Sequence, residues 1–394
     1  YKEFYRKVFM DYKEPLFWIH LNMDYPFNLK GILYFPKINT EYDSIEGTIK
    51  LYNNQVFIAD NIKEVIPEFL LLLKGVIDCP DLPLNVSRSA LQNDGFVQKI
   101  SEYIAKKVAD KLTGMCKTDR EAYEKYWDDI SPFIKFGCIK DSKFADKLHD
   151  YILFKDLDNK YLTLKDCIEA NKKEEAEHTE EETQENAEEN KDEKEPEKTT
   201  VFYVTDPVQQ SQYINMFKEA GKNAVILSHN IDTAFISHLE QRDQTLQFKR
   251  IDADLTEELK GGDAADDDTA KTLTELFRKN LNKEKLEVKV ESLKNEAVSA
   301  MMMLSEESRR MQDMMKMYNM YGMDPGMFGG QETLVLNINH PLVKFLAENQ
   351  ESEHAAVICE QLYDLAMISH KQLSPDEMTK FVQRSNDILM LLTK

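Results

Sequence analysis

The sequence predicts a multidomain fold that combines α/β and α+β parts. Runs of β-branched and aromatic residues, typical of strands, alternate with amphipathic helical patterns along most of the chain. Its 394 residues are enough for roughly two or three domains that each bury a core. An acidic tract and a glycine- and aspartate-rich segment interrupt these patterns. We therefore divide the chain into a large α/β part at 1–170, an acidic insertion at 171–198, a small α/β part at 199–255, a hinge at 256–268, and a mixed α/β C-terminal domain at 269–394.

The large α/β part begins with strand patterns and continues into a helix. Phe17–Leu21 and Gly31–Phe35 predict strands. A hairpin is predicted across Asn53-Asn54, because asparagine tolerates the positive φ of a tight turn. After Gly95, apolar residues recur about four apart and predict an amphipathic helix. These residues are Val97, Ile100, Ile104, Val108 and Leu112.

The charge of the chain excludes some partners. The formal net charge is −21, which disfavours a nucleic-acid backbone as partner, since that needs clustered lysine and arginine. Residues 171–198 hold thirteen acids and five bases, so −8 of that charge lies there. Such a tract cannot bury enough apolar surface to order itself, and we predict a disordered surface insertion. An acidic docking segment is the alternative.

The small α/β part predicts a β-α-β unit. Val201–Val204 and Ala224–Leu227 read as strands, and Val208–Glu219 reads as the helix between them, with Gly221 as its stop. No G-x-G-x-x-G accompanies the unit, so nothing indicates a dinucleotide site. The hinge follows, and it lacks the ligand spacing and closing glutamate of a calcium loop.

The C-terminal domain ends in a helix with an apolar stripe. Ser374 to Glu377 form a capping-box pattern with Pro375 at the first helical position. The stripe needs a covering surface, which could be its own domain or a second copy of the chain. We favour a symmetric helix-bundle homodimer, the commonest closed association. The stripe consists of Met378, Phe381, Val382, Ser385, Ile388, Leu389 and Leu392.

Methionine is concentrated in one segment of this domain. Ten of the seventeen methionines fall between Met301 and Met327. A methionine stripe at helical spacing is typical of a core, but glycine-rich sequence follows this one. Flexible, polarizable side chains on a mobile element also suit binding to varied apolar partners, so a core and a binding surface both remain open for this stripe. Its residues are Met311, Met314, Met315 and Tyr318.

Standard catalytic and metal-binding signals are missing from the sequence. It has no P-loop, G-x-S-x-G, H-E-x-x-H or kinase signature. The five cysteines show no C-x-x-C spacing and are expected to be buried or incidental thiols. No apolar run is long enough to span a bilayer, so we expect no membrane contact and a cytoplasmic location. Because the chain begins with Tyr1, we expect it to be part of a longer protein.

One polar loop stands out, around Asp81-Leu82-Pro83-Leu84-Asn85-Val86-Ser87-Arg88-Ser89-Ala90-Leu91-Gln92. Two prolines fix turns that present Arg88 among serine and amide side chains. A guanidinium suits a terminal phosphate, and the amides suit a bound water or a phosphate oxygen. The pattern alone also fits a loop arginine that only caps a neighbouring carbonyl.

This loop resembles the signature loop of the heat-shock protein 90 chaperones, bacterial HtpG type. The resemblance extends through Tyr1–Tyr5 and Ile32–Pro36 to the helix that ends near Leu112. It is fair over 199–255 and returns at Asn337–Val343. It implies a middle domain of α-β-α layers, with a part like ribosomal protein S5 domain 2, before the C-terminal dimerisation domain.

The resemblance also implies a function. An ATP-binding domain would precede Tyr1 and bind ATP and Mg²⁺, whereas this chain would hold no cofactor and would not hydrolyse ATP by itself. Arg88 would reach the γ-phosphate, supported by Asn85 and Gln92. The chain would belong to a stress-response chaperone that dimerises and binds non-native client proteins through the Met311 segment.

The chain departs from the family pattern in two places. The acidic tract lies inside the middle region, and the chain ends without the acidic tail of eukaryotic cytosolic relatives.

Two other functions remain open from the sequence. A transducer of a DNA-handling ATPase of the same superfamily would also use a basic residue from a second domain, although the net charge disfavours it. A non-catalytic dimeric scaffold, with Arg88 incidental, is the third interpretation.

Overall fold

The structure is a computed structural model, in which the chain forms two compact units. The first unit consists of Tyr1–Phe154, Tyr161–Glu169 and Ala234–Arg242, and the second of Lys155–Lys160, Ala170–Thr233 and Asp243–Lys394. The five ranges predicted from the sequence remain predictions. The structure describes residues 1–37, 47–61, 65–82, 94–169, 198–253, 259–262, 265–305, 310, 332–391 and 393.

The first unit alternates strands with helices, as its sequence pattern predicts. Short 3₁₀ turns occur at Glu68–Leu70 and His149–Tyr151. Its elements are α1 (Lys2–Phe9), β1 (Phe17–Met23), β2 (Leu29–Phe35), β3 (Ile49–Asn53), β4 (Val56–Asp60), β5 (Lys74–Asp78), α2 (Asp94–Thr118), α3 (Arg120–Lys140), α4 (Ser142–Leu148), the start of β6 (Leu153–Asp156), and β7 (Tyr161–Thr163).

A five-stranded sheet in the order β1-β2-β5-β3-β4 forms the centre of the first unit. Strands β3 and β5 run parallel, and the other neighbours run antiparallel. Because alternate residues of a strand point to opposite faces, both faces can bury side chains. Phe35 meets Phe133 of α3, with ring centroids 5.2 Å apart. On the other face Tyr34 meets Tyr5 of α1 at 5.0 Å, so helices cover the sheet on both sides.

The β3–β4 hairpin turns one residue later than its sequence predicts. Asn54 and Gln55 have positive φ angles of 50° and 65°, and Asn53 pairs with Val56 in the ladder. The prediction of a turn at Asn53-Asn54 is therefore wrong by one position. Asn53 stays in β3, where its side chain makes long-range hydrogen bonds that a local pattern does not reveal.

The second unit contains the remaining elements. The helix Ile231–Arg242 begins in this unit and ends in the first. The elements are β8 (Thr199–Val204), α5 (Ser211–Glu219), β9 (Val225–Ile226), α6 (Ile231–Arg242), β10 (Leu246–Arg250), α7 (Asp267–Leu281), β11 (Glu287–Glu291), β12 (Ala300–Met303), β13 (Thr333–Asn337), α8 (Pro341–Glu348), α9 (Ala355–His370) and α10 (Pro375–Leu391).

Strands β10, β8 and β9 are neighbours in that order and run parallel. The predicted β-α-β unit is therefore confirmed, with β8, α5 and β9 as its elements. Gly221 follows α5 with φ 71°, a conformation that glycine adopts without steric cost. Lys155 and Asp156 of β6 pair antiparallel with β9.

A three-stranded sheet, ordered β11-β13-β12, separates two apolar cores in the second unit. Along β12, Met302 joins one core with Phe277 of α7, whereas Met301 and Met303 join the other with Phe217 of α5. Three of the clustered methionines are therefore core residues. No helix in the described part of the chain is both long and apolar enough to cross a membrane.

Candidate functional site

The sequence predicts three groups of functional residues, and the structure describes most of one. Arg88, Asn85 and Gln92 lie outside the described residues, and so does the predicted client-binding group. Four predicted dimer residues are described, and all four lie on α10. That client-binding group consists of Met311, Met314, Met315 and Tyr318. The predicted dimer residue Leu392 also lies outside the described residues.

The base of the Arg88 loop is fixed by the side chain of Asn53. Its Nδ2 atom lies 3.1 Å from the carbonyl oxygen of Cys79, 3.2 Å from that of Pro80 and 3.4 Å from that of Leu82. Two of these carbonyls precede the loop, and that of Leu82 lies in its first residues. One amide at the end of β3 therefore holds the chain as it enters the loop.

A second tether reaches the same segment from the β1–β2 connection. The Asp81 Oδ2 atom accepts hydrogen bonds from the backbone N of Asn28 at 2.6 Å and from its Nδ2 at 3.0 Å. Burial raises the pKa of the neighbouring Cys79 thiol to about 11, so this thiol stays protonated at neutral pH. The sequence predicts only a turn position for Asn53 and no role for Asn28, because the hydrogen-bond partners of both side chains lie far along the chain.

The start of α10 has the predicted capping box. The Ser374 backbone N and hydroxyl donate to Glu377 Oε2 at 2.9 and 2.7 Å, and the Glu377 backbone N donates to Ser374 Oγ at 3.3 Å. Hydrogen bonds from Ser374 lower the pKa of the Glu377 carboxyl below its ordinary value. The pattern in the sequence thus predicts both the position and the geometry of this helix start.

Helix α10 lies against α9 through polar side chains. The Arg384 Nη2 atom is 2.5 Å from Asp364 Oδ2, and its Nε atom is 3.4 Å from Glu360 Oε2. Beside this pair, Gln361 Nε2 donates to Ser385 Oγ at 3.2 Å. Burial, followed by the carboxylates of Glu377 and Glu360, raises the pKa of Asp364, although the Arg384 guanidinium opposes the shift.

The predicted apolar stripe of α10 is divided into two halves. Phe381, Ser385 and Ile388 are half-buried on the α9 side. Met378, Val382 and Leu389 are between 40% and 58% exposed, and no described residue of α10 is buried. Leu365 of α9 is exposed as well. We call Leu365, Met378, Val382 and Leu389 the open face, since nothing in the described part of the chain covers it.

The described residues offer no cluster of metal ligands and no exposed thiol. They contain no group of three or more histidine, cysteine or acidic side chains that could hold a metal ion. All five cysteines are buried, as predicted. Burial raises the thiol pKa of Cys138 and of Cys359 to about 12, which keeps both thiols protonated and unreactive.

Comparison with known proteins agrees with the resemblance of the Arg88 loop. The Hsp90 protein family model matches residues 1–178. The Chaperone protein htpG of Bacteroides fragilis (strain YCH46) is 38% identical over 370 residues, which is 91% of this chain and 51% of that protein. This chain belongs to the Hsp90 family.

Other family members match over similar lengths. The Chaperone protein HtpG of Porphyromonas gingivalis (strain ATCC 33277) is 37% identical over 370 residues, with 89% of this chain and 50% of that protein covered. That of Helicobacter acinonychis is 29% identical over 404 residues, with 99% and 59% covered. The chain spans about half the length of the Bacteroides and Porphyromonas relatives it matches.

Proposed function

We propose that this chain is the middle and C-terminal part of a molecular chaperone of the Hsp90 family, HtpG type. In this role it binds non-native proteins, associates as a homodimer and contributes one arginine to an ATP site on another domain. The similarity to HtpG chaperones supports the class of function. The open face on α9 and α10 is the structural observation that carries the proposal.

The open face suits a second copy of the same chain. Its four apolar side chains lie on two helices joined by a short connection, so two copies bring four helices together. A twofold axis places the open face of one copy against the same face of the other copy, which is the commonest arrangement in homo-oligomers. Each half-exposed side chain gains about 1 kcal/mol when it is buried, and the gain applies to both copies.

The Arg88 loop supplies the link to ATP. In the proposed mechanism Arg88 contacts the γ-phosphate of ATP, and Asn85 and Gln92 support the loop. The ATP and Mg²⁺ belong to the family's ATP-binding domain, so the 394 residues alone do not turn over ATP. The hydrogen bonds of Asn53 and Asp81 support this role, because they fix the chain where it enters the loop.

The Met311 segment supplies the client surface. Methionine side chains adapt to varied apolar surfaces. The segment begins eight residues after the end of β12, whose own methionines are core residues. We place the protein in the cytoplasm, where newly made and stress-unfolded chains are its clients.

Sedimentation equilibrium of the intact chain tests the structural basis of the proposal. The mass is expected to approach twice the chain mass of 45.9 kDa as concentration rises through the micromolar range. A species that stays at the monomer mass throughout contradicts self-association through the open face. Retention on double-stranded DNA at low salt contradicts the chaperone assignment and favours a DNA-handling ATPase instead.

A further inference from the structure

We call the polar contact between α9 and α10 the seam, and one arginine lies at its centre. The Arg384 side chain is 11% exposed and contacts both Glu360 and Asp364. These two acids are four residues apart on α9, so they lie on one face of that helix. Arg384 therefore joins α10 to an acidic strip on α9.

This seam is not the arrangement that most favours stability. Arg384 Nη1 and Gln361 Oε1 are buried and have no hydrogen-bond partner among the residues described. Burying charged and polar groups with incomplete pairing costs more than burying an apolar contact of similar size. A seam of this kind restricts the orientation of α10 relative to α9, because an arginine paired with two acids tolerates fewer helix orientations than an apolar contact does.

Orientation matters for α10 because its apolar residues could also face α9. At about 100° per residue, Arg384 lies about 140–160° around the helix from Val382 and Leu389. Rotating α10 until Val382 and Leu389 faced α9 would pull Arg384 away from its acids. The same rotation would hide the apolar side chains from a second copy.

We propose that Arg384 is a positioning residue for self-association, and that its ion pairs with Asp364 and Glu360 hold α10 in the rotation that keeps the open face outward. This inference rests on the proposed function, since it concerns the same surface. Arg384 does not need to touch the partner. It acts by setting where Met378, Val382 and Leu389 point.

The test compares dimer affinity with stability in variants of the intact chain. In Arg384→Met the dimer dissociation constant is expected to rise about tenfold or more, with unchanged helix content and a melting temperature that is equal or higher. Asp364→Arg is expected to weaken the dimer similarly. The double variant Arg384→Asp, Asp364→Arg is expected to recover part of the lost affinity, because the pair between positions 364 and 384 is restored while Glu360 is left without its cation. Lys380→Met removes a cation from an exposed position of the same helix and is the matched control.

A second readout follows the rotation directly. Val382→Cys is labelled with a thiol reagent at a concentration where the chain is monomeric, with and without Arg384→Met. Because the native cysteines are buried, labelling reports residue 382. The rate is expected to fall several-fold when Arg384 is replaced.

The outcomes separate this inference from the proposed function. A wild-type dimer, an equally tight Arg384→Met dimer and an unchanged labelling rate refute the positioning role while leaving the homodimer intact. A double variant that stays as weak as the single ones also refutes it. A wild-type chain that is monomeric at every concentration instead refutes the proposed homodimer, and the positioning role with it.

Discussion

The Oδ1 atom of Asn337 accepts a hydrogen bond from the backbone N of Leu293 at 3.1 Å. The Nδ2 atom of the same side chain donates to the carbonyl oxygens of Val298 at 2.8 Å and of Asn295 at 3.1 Å. Asn337 ends β13 and is fully buried. One side chain thus holds the connection between β11 and β12 against the strand that lies between them.

Replacing this asparagine is expected to destabilise the second unit. Asn337→Ala leaves buried backbone groups without partners, and we expect a loss of about 2–4 kcal/mol in the free energy of unfolding. Chemical denaturation followed by circular dichroism measures it. Asn386→Ala, at an exposed position on α10, is the control and should stay within about 0.5 kcal/mol of the wild type. Equal midpoints for the two variants would contradict the role of Asn337.

The attachment of α1 is expected to depend on pH through Asp11. Its Oδ2 atom accepts hydrogen bonds from Tyr5 Oη at 2.8 Å and from Lys74 Nζ at 2.6 Å. Burial alone would raise the pKa of Asp11, but the hydrogen bonds from Lys74, Tyr5 and the Lys13 backbone lower it below its ordinary value. A carboxyl whose pKa is lower in the folded state stabilises the fold above its unfolded pKa. That stability is lost as the pH falls through the folded pKa.

Asp11→Asn tests this pH dependence. We expect the variant to melt at a lower temperature than the wild type at about pH 7 and the difference to shrink below about pH 4, near the ordinary pKa of aspartate. Thermal unfolding across that range, followed by tyrosine and tryptophan fluorescence, measures it. Asp24→Asn, at an exposed position, is the control. A difference that grows on acidification would contradict the proposed stabilisation by Asp11.

Local sequence signals predict much of this fold. The strands at Phe17 and Gly31 and the helix start at Ser374 follow from residue types and spacing within a few positions. Asn53 and Arg384 could not be assigned in this way, because their roles depend on partners 20 or more residues away. The methionine cluster shows the same limit. Met301 to Met303 are core residues of β12, and only the packing of two cores around that strand reveals it.

The open face is expected to control self-association. Val382→Asp with Leu389→Asp places two charges where an apolar contact forms, and we expect the dimer dissociation constant to rise about 100-fold or more. Sedimentation velocity measures the change. Val208→Asp makes the same chemical change at an exposed valine in the β8–α5 connection and should leave the dimer intact. If the double variant sediments as the wild type does, α10 is not the interface.

Arg88 is expected to matter only when an ATP-binding domain is present. In a longer protein that joins this chain to such a domain, we expect Arg88→Ala to reduce ATP turnover about tenfold or more. The reason is that the positive charge that contacts the γ-phosphate is lost. Arg6→Ala is the control, since Arg6 is exposed and pairs only with Glu14 among the residues described. Steady-state phosphate release measures both. Equal rates with and without Arg88 would show that the loop arginine is incidental.

Light scattering from a thermally unfolding reporter protein tests the chaperone function most directly. We predict that an equimolar amount of the wild-type chain lowers the scattering. A variant with Met311→Ser, Met314→Ser and Tyr318→Ser should protect less, whereas Met10→Ser, at an exposed methionine of the first unit, should protect as the wild type does. Scattering that the wild-type chain leaves unchanged would contradict the proposal that this chain binds non-native proteins.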